Sequence, residues 1–157
     1  MTSALTPLMN ANIPLTTVIL GTHPSKFSLA LRTPAKDSPS YQRWATNRGG
    51  IGAQNYGNPN NCFWGIMGSA LGFHRNKTTY LKQVQMFEAG GLTHVDVIAS
   101  CSYANDSSLD RKINMNSIQR FELLQFITDH PTIQTLVAPY TTAVLLQHPK
   151  LFGDILR

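Results

Sequence analysis

The chain has 157 residues, 42% of them hydrophobic and 13% charged, with a net charge of +5 and a pI near 9.5. This length suits one domain with a real core, and no apolar run approaches the ~20 residues of a membrane span. Two cysteines, Cys62 and Cys101, lack metal-site spacing and are too few for a disulfide framework or an iron–sulfur cluster, which points to a reducing, intracellular setting.

The charge is unevenly spread. Residues 1–87 carry eight Lys/Arg and one acid, Asp37, whereas residues 88–157 carry five Lys/Arg and seven acids. A basic half suits a polyanion such as nucleic acid; a solvated basic surface is the plain alternative.

In chain order, residues 1–14 read as a loose leader bracketed by Pro7 and Pro14, with neither a basic n-region nor a cleavage-like site. Residues 15–20 form a β-branched apolar run, the pattern of a buried strand, and 21–25 are the loop at its carboxyl end. Residues 28–31 are predicted to start a helix. Residues 30–55 are rich in Pro, Ser, Gly and basic side chains without a sustained period. Arg32, Lys36, Arg43 and Arg48 stand there with Tyr41 and Trp44. Such a segment is either a surface insertion or a basic, aromatic strip that tracks a phosphate backbone.

Gly57, Asn58 and Pro59 then mark a tight turn, and Asn60 or Asn61 occupies the N-cap position of a helix over 63–71. Its apolar positions 63, 64, 66, 67, 70 and 71 share a face. A second helix is predicted over 79–89, with Tyr80, Val84 and Phe87 inward, closed by Gly90 and Gly91. A strand follows over 94–99 and a polar loop over 100–110. An amphipathic helix is predicted over 117–129, with Ile118, Phe121, Leu124 and Ile127 on one side and Leu123 near its edge; His130-Pro131 stops it. A strand over 135–138 and a helix starting over 141–146 complete the pattern.

Strands alternating with helices imply a three-layer αβα fold around a central, mainly parallel sheet. Ligands in such folds sit at the carboxyl ends of the strands, here at loops 21–25, 100–110 and 139–142. By itself, Asn61 reads as a helix cap, Phe63 and Trp64 as core, and Cys62 and Cys101 as small apolar side chains. His74, His94, His130 and His148 show no partner spacing and read as surface or loop residues.

Three segments together resemble the uracil-DNA glycosylase superfamily, most of all its hypoxanthine-DNA glycosylase branch. Leu20-Gly-Thr-His-Pro-Ser-Lys-Phe-Ser28 is similar to that branch's Gly-Ser/Thr-x-Pro-Gly/Ser-x-x-Ser loop. Tyr56-Gly-Asn-Pro-Asn-Asn-Cys-Phe-Trp64 is similar to Tyr-Ala-His-Pro-x-Asn-x-Phe-Trp. Asp96-Val-Ile-Ala-Ser-Cys-Ser102, followed by Ser107-Ser-Leu-Asp110, is similar to Asp-Val-Ile-x-Ser-Cys and Gly-Ser-Leu-Asp. The likeness runs over residues 18–143, interrupted by 30–55.

What the resemblance implies is a monofunctional DNA glycosylase that flips a deaminated base, hypoxanthine or uracil, out of DNA and hydrolyses its N-glycosidic bond. It implies a monomer without metal or organic cofactor, nuclear in a eukaryote and otherwise cytoplasmic, whose partner is the damaged DNA. Asn61 matches the catalytic amide and Tyr56 the aromatic that stacks on the base. The loop of Gly21, Thr22, Pro24 and Ser25 would bind a base edge or phosphate. His23 stands where related branches carry a catalytic Asn; it could orient water, or simply fill a loop. Asp96 could contact the base edge or bond to neighbouring backbone. Ser100 and Ser108 are candidate phosphate or base contacts, and Arg43 and Arg48 candidate DNA contacts. The family's last strand and its Ser-Pro loop have no counterpart before Arg157, since Ser38-Pro39 stands in the wrong order. The alternative is therefore a weak or inactive relative that binds nucleic acid without turnover. An unrelated nucleotide-binding α/β domain is a third reading, though no phosphate-binding glycine motif of the usual kinds is present.

Overall fold

A computed structural model describes residues 2–23, 37, 39, 56, 61–104 and 113–138. The predicted helix starts over 28–31 and 141–146 and most of the basic stretch 30–55 lie outside the described residues. Within the described residues, six strands and three α-helices follow in the order β1 (Thr2–Ser3), β2 (Thr17–Gly21), α1 (Phe63–Leu71), α2 (Tyr80–Ala89), β3 (Leu92–Asp96), β4 (Ile98–Cys101), β5 (Gln119–Arg120), α3 (Leu123–Asp129) and β6 (Thr135–Val137).

Strand β2 is the axis. It pairs in parallel with β3 on one side and β6 on the other, in the order β3-β2-β6. From the second residue on, β2 and β3 are buried throughout, as expected of parallel strands covered on both faces. Alternation sorts the two faces. Val18 and Leu20 join Val95 and the α3 residues Leu123 and Phe126 in one core. Ile19 points the other way, into Phe63 and Trp64 of α1, Phe73, and Phe87 of α2. Helices thus cover both faces of a parallel sheet, the three-layer α/β arrangement expected from the sequence.

Helix α1 runs over the predicted range. It ends at Gly72, whose left-handed φ of 78° lets its amide close on the Gly68 carbonyl at 2.9 Å. In α2 the Thr79 hydroxyl caps the Lys82 amide at 3.4 Å. The inward side of α2 holds a residue missed by hydropathy: Gln83 is 1% exposed and donates from Nε2 to the carbonyls of Arg75, at 2.8 Å, and Thr78, at 2.6 Å. Gly91, at φ 68°, turns the chain from α2 into β3, and its carbonyl takes the Thr16 and Thr17 amides, at 2.8 and 3.1 Å, that lead into β2.

Three sequence expectations change. The first residues are not a loose leader: β1 pairs with β4 antiparallel, Thr93 Oγ1 donates to the Leu8 carbonyl at 2.6 Å, and Leu8 packs on the α1/α2 core. The strand expected over 94–99 is two strands. After Asp96 the amides of Val97 and Ile98 bond to the carbonyls of Gly21 and Thr22, at 2.9 and 3.1 Å, and β4 continues into a second, antiparallel sheet of order β1-β4-β5. The long helix expected over 117–129 is a 3₁₀ turn at Met115–Ser117, the short strand β5, and then α3. Pairing of residues 119–120 with β4 overrides the helical period, and Leu123 is buried while Leu124 is 64% exposed, the reverse of the predicted face.

Candidate functional site

Strands β2 and β3 end side by side, with Gly21 in register with Asp96 and Ile19 with His94. On β3, period-two alternation puts Leu92, His94 and Asp96 on the α1/α2 face. His94 and Asp96 are therefore neighbours on one surface. His94 Nε2 lies 3.0 Å from Asp96 Oδ1, and both side chains are only 4% exposed. A carboxylate offers only acceptors, so the imidazole nitrogen is the donor.

The other carboxylate oxygen, Asp96 Oδ2, is buried without a hydrogen-bond partner among the described residues. Such an orphan is costly, of order 1–3 kcal/mol for a neutral group and more for a charged one. Buried carboxylates left half-satisfied call for an explanation, and a substrate donor is one of the standard ones.

Gly21 makes this arrangement possible. A Cβ there would collide with Asp96 Oδ1 and His94 Nε2 and would come within 3.0 Å of the Tyr56 hydroxyl. Any larger residue at 21 would occupy the space where these three side chains converge. Tyr56 itself has a left-handed φ of 55°, uncommon for a residue with a bulky side chain. Strained backbone of this kind costs about 1–3 kcal/mol and gathers at functional sites. Its ring stacks on Phe63, with centroids 3.8 Å apart and planes at 15°, and meets His94 edge-on at 4.5 Å and 64°.

Asn61 enters through the same Phe63. Its side-chain oxygen accepts the Phe63 amide at 2.7 Å from one residue ahead of the N-cap position, which Cys62 holds without a side-chain capping bond. Arg75 braces the junction through a hydrogen bond from Nη1 to the Asn61 carbonyl. Because Oδ1 takes a backbone N–H, the amide orientation is settled, and the NH₂ group is the end directed away from that bond.

His23 goes elsewhere. It is buried, its Nδ1 lies 3.0 Å from the Tyr103 hydroxyl, and its ring meets Tyr103 edge-on at 5.8 Å. Tyr103 packs against the α3-side core, so the His23 ring is held on that side, whereas Tyr56 belongs to the α1/α2 side. The Thr22 carbonyl is taken by the Ile98 amide. Ser100 is buried, and its hydroxyl donates to Gln119 Oε1 at 2.7 Å across β4 and β5. Pro24, Ser25, Ser108, Arg43 and Arg48 lie outside the described residues.

The structure thus brings together Gly21, Tyr56 and Asp96, links Asn61 to them through Phe63, and separates His23 and Ser100. It adds His94, expected at the surface but 3% exposed and bonded to Asp96. The signal available in the sequence was its i, i+2 spacing to Asp96 on a strand. Asp96 bonds to this imidazole rather than to the neighbouring backbone. A cavity of about 600 Å³ between residues 9–15 and 129–132 opens at the opposite, amino ends of β2 and β6. Among the described residues no three His, Cys, Asp or Glu side chains are grouped to hold a metal ion, and no helix is long and apolar enough to cross a membrane.

This is a three-layer α/β fold whose parallel sheet carries the candidate site at its carboxyl end. A solved structure of a candidate uracil DNA glycosylase from Methanosarcina acetivorans aligns with a TM-score of 0.61 and 21% identity, over 98% of this chain and 77% of that one. No family model matches the chain, and no curated protein matches it.

Proposed function

We propose that the protein is a monofunctional DNA glycosylase that removes a deaminated base, hypoxanthine or uracil, by hydrolysing its N-glycosidic bond. The observation that carries the reading is the buried Asp96 carboxylate at the carboxyl end of β3: Oδ1 is held by His94 where Gly21 and Tyr56 converge, and Oδ2 has no hydrogen-bond partner among the described residues. Deamination turns a ring nitrogen that accepts into one that donates: N1–H in hypoxanthine, N3–H in uracil. An acceptor-only carboxylate oxygen favours either of these over adenine N1 or cytosine N3. The glycosylase-like fold supports the same reading.

In this mechanism the target base leaves the duplex stack. Tyr56 provides an aromatic surface, worth about 1–3 kcal/mol per stacked base. As the C1′–N bond breaks, its electron pair departs with the base. The Asn61 NH₂, oriented by the bond between Oδ1 and the Phe63 amide, donates to the developing negative charge. Water adds its oxygen to C1′ and releases a proton, leaving an abasic site. His23, its ring pinned by Tyr103 on the α3 side of the sheet, is set apart from this step. By the motif likeness, base binding is assigned to Gly21, Thr22, Pro24 and Ser25, and phosphate binding to Arg43, Arg48 and Ser108. No cofactor takes part, and the protein acts as a monomer on damaged DNA.

A second reading has an observation of its own. Asn61 Oδ1 is engaged by the Phe63 amide, which suits a structural role in a relative that binds DNA without turnover. An oligonucleotide carrying deoxyinosine or deoxyuridine, incubated with the protein and then treated with alkali, separates the two. Strand breaks that disappear in Asn61→Ala support the enzyme. Retained DNA binding with no breaks at high protein concentration overturns it in favour of the binder.

A further inference from the structure

His94 is a buried titratable side chain to which the mechanism above gives no step of its own. Three contacts meet on its ring. Nε2 bonds to Asp96 Oδ1 at 3.0 Å, the ring edge meets Tyr56 at 4.5 Å and 64°, and it approaches Phe63 at 6.2 Å. Phe63 in turn carries the Tyr56 stack and, through its amide, Asn61. The histidine therefore touches, directly or one residue removed, every side chain that the glycosylase reading assigns on the α1/α2 face.

The geometry points to His94 as a positioning residue that orients the Asp96 carboxylate and seats the Tyr56 ring as one unit. This inference rests on the glycosylase reading and deepens it, because the clamp makes base readout directional. A carboxylate on a single side-chain torsion is free to turn. The bond from His94 Nε2 fixes Oδ1, and the bare Gly21 backbone lets both groups sit against β2. Oδ2 is then left with one orientation and, among the described residues, no partner. A hydrophobic residue at 94 would fill the space, yet it would release the carboxylate and leave both oxygens buried without donors. A group placed about 1 Å from its productive position costs as much as 100-fold in rate, which is what a loosened acceptor would produce.

The test uses the full chain and compares wild type with His94→Leu and His94→Gln. Glutamine extends its amide to roughly where Nε2 lies and retains a donor. The measurements are single-turnover excision of whichever deaminated base the wild type removes, binding to undamaged duplex, and thermal melting. The leucine variant is expected to excise about 10- to 100-fold more slowly with duplex binding unchanged, and the glutamine variant to recover most of that loss. A purely structural role predicts a different split: melting would fall, and excision by the folded fraction would not. Wild-type excision by the leucine variant overturns the proposal. So does a glutamine variant as slow as leucine while melting like wild type. Should the leucine variant fail to fold, the glutamine variant and the imidazole spectrum decide. Nitrogen-15 spectra of the wild type are independent of turnover. A slowly exchanging proton on His94 Nε2 supports the clamp, and an unprotonated Nε2 overturns it. A wild type that excises nothing sinks the glycosylase reading alone, and the spectrum still judges His94.

Discussion

The ring of Tyr56 lies flat on Phe63, 3.8 Å between centroids and 15° between planes, although the two residues approach from a turn and from the first residue of a helix. That stack ties the Tyr56 backbone, held at a φ of 55°, to the α1/α2 core. Tyr56→Ala should destabilise the protein by about 1–3 kcal/mol, combining lost burial with the ~0.5–1.5 kcal/mol of a ring pair. Tyr56→Phe should keep most of that stability. Urea unfolding of the two variants measures the difference, and equal midpoints would contradict the stack.

Gly21 is expected to tolerate no side chain. Gly21→Ala drives a methyl into Asp96 Oδ1 and His94 Nε2, and neither can retreat far, because both sit on a strand in register with β2. Overpacking of this kind costs about 1–3 kcal/mol. The same variant should lose excision more than it loses duplex binding. Chemical denaturation and a gel-shift titration give the two numbers.

Asp96→Asn separates stability from chemistry. The amide oxygen can still accept from His94, while the buried negative charge is removed. The unfolding midpoint should equal or exceed that of the parent, as often happens when a buried charge is neutralised. Excision should fall, because an NH₂ group now occupies the place of the acceptor oxygen. Discrimination should shift toward bases whose ring nitrogen accepts, seen as a smaller ratio of deaminated to normal base removed.

Ser100→Ala should act on stability alone. The lost bond to Gln119 joins β4 to β5, and a net cost of about 0.5–1.5 kcal/mol is expected. DNA affinity should be unchanged. A drop in affinity with an unaltered melting temperature would return Ser100 to the DNA-facing surface.

Local patterns were legible where local physics decides. Helix α1 follows from its apolar spacing after an Asn-rich turn, and α2 from its apolar period and the Gly90-Gly91 stop. The buried strand at β2 was evident, displaced by two residues at its start and one at its end, because Leu15 and Thr16 precede the first ladder bonds. Where tertiary pairing decides, the patterns misled. Ile118, Phe121, Leu124 and Ile127 keep a helical period, yet the Gln119–Arg120 pairing with β4 breaks it. Hydropathy had no means of placing Gln83, whose burial depends on two carbonyls at a turn it does not adjoin in sequence. His94 was hidden for a related reason: a histidine signals burial only once its partner is known to share its strand face. At the site, Tyr56 and Asp96 were found through motif likeness, whereas their meeting over Gly21 is a matter of strand register.

The pairing of β1 with β4 has a practical consequence. Thr2 and Ser3 cover one flank of β4, with the Ala4 amide bonded to the Ala99 carbonyl at 2.7 Å. Proteolytic nicking or a bulky purification tag at that point would uncover a row of hydrogen-bonding groups, and bare strand flanks recruit other chains. Preparations trimmed there should clump in storage, so a tag belongs behind a spacer or at the opposite terminus.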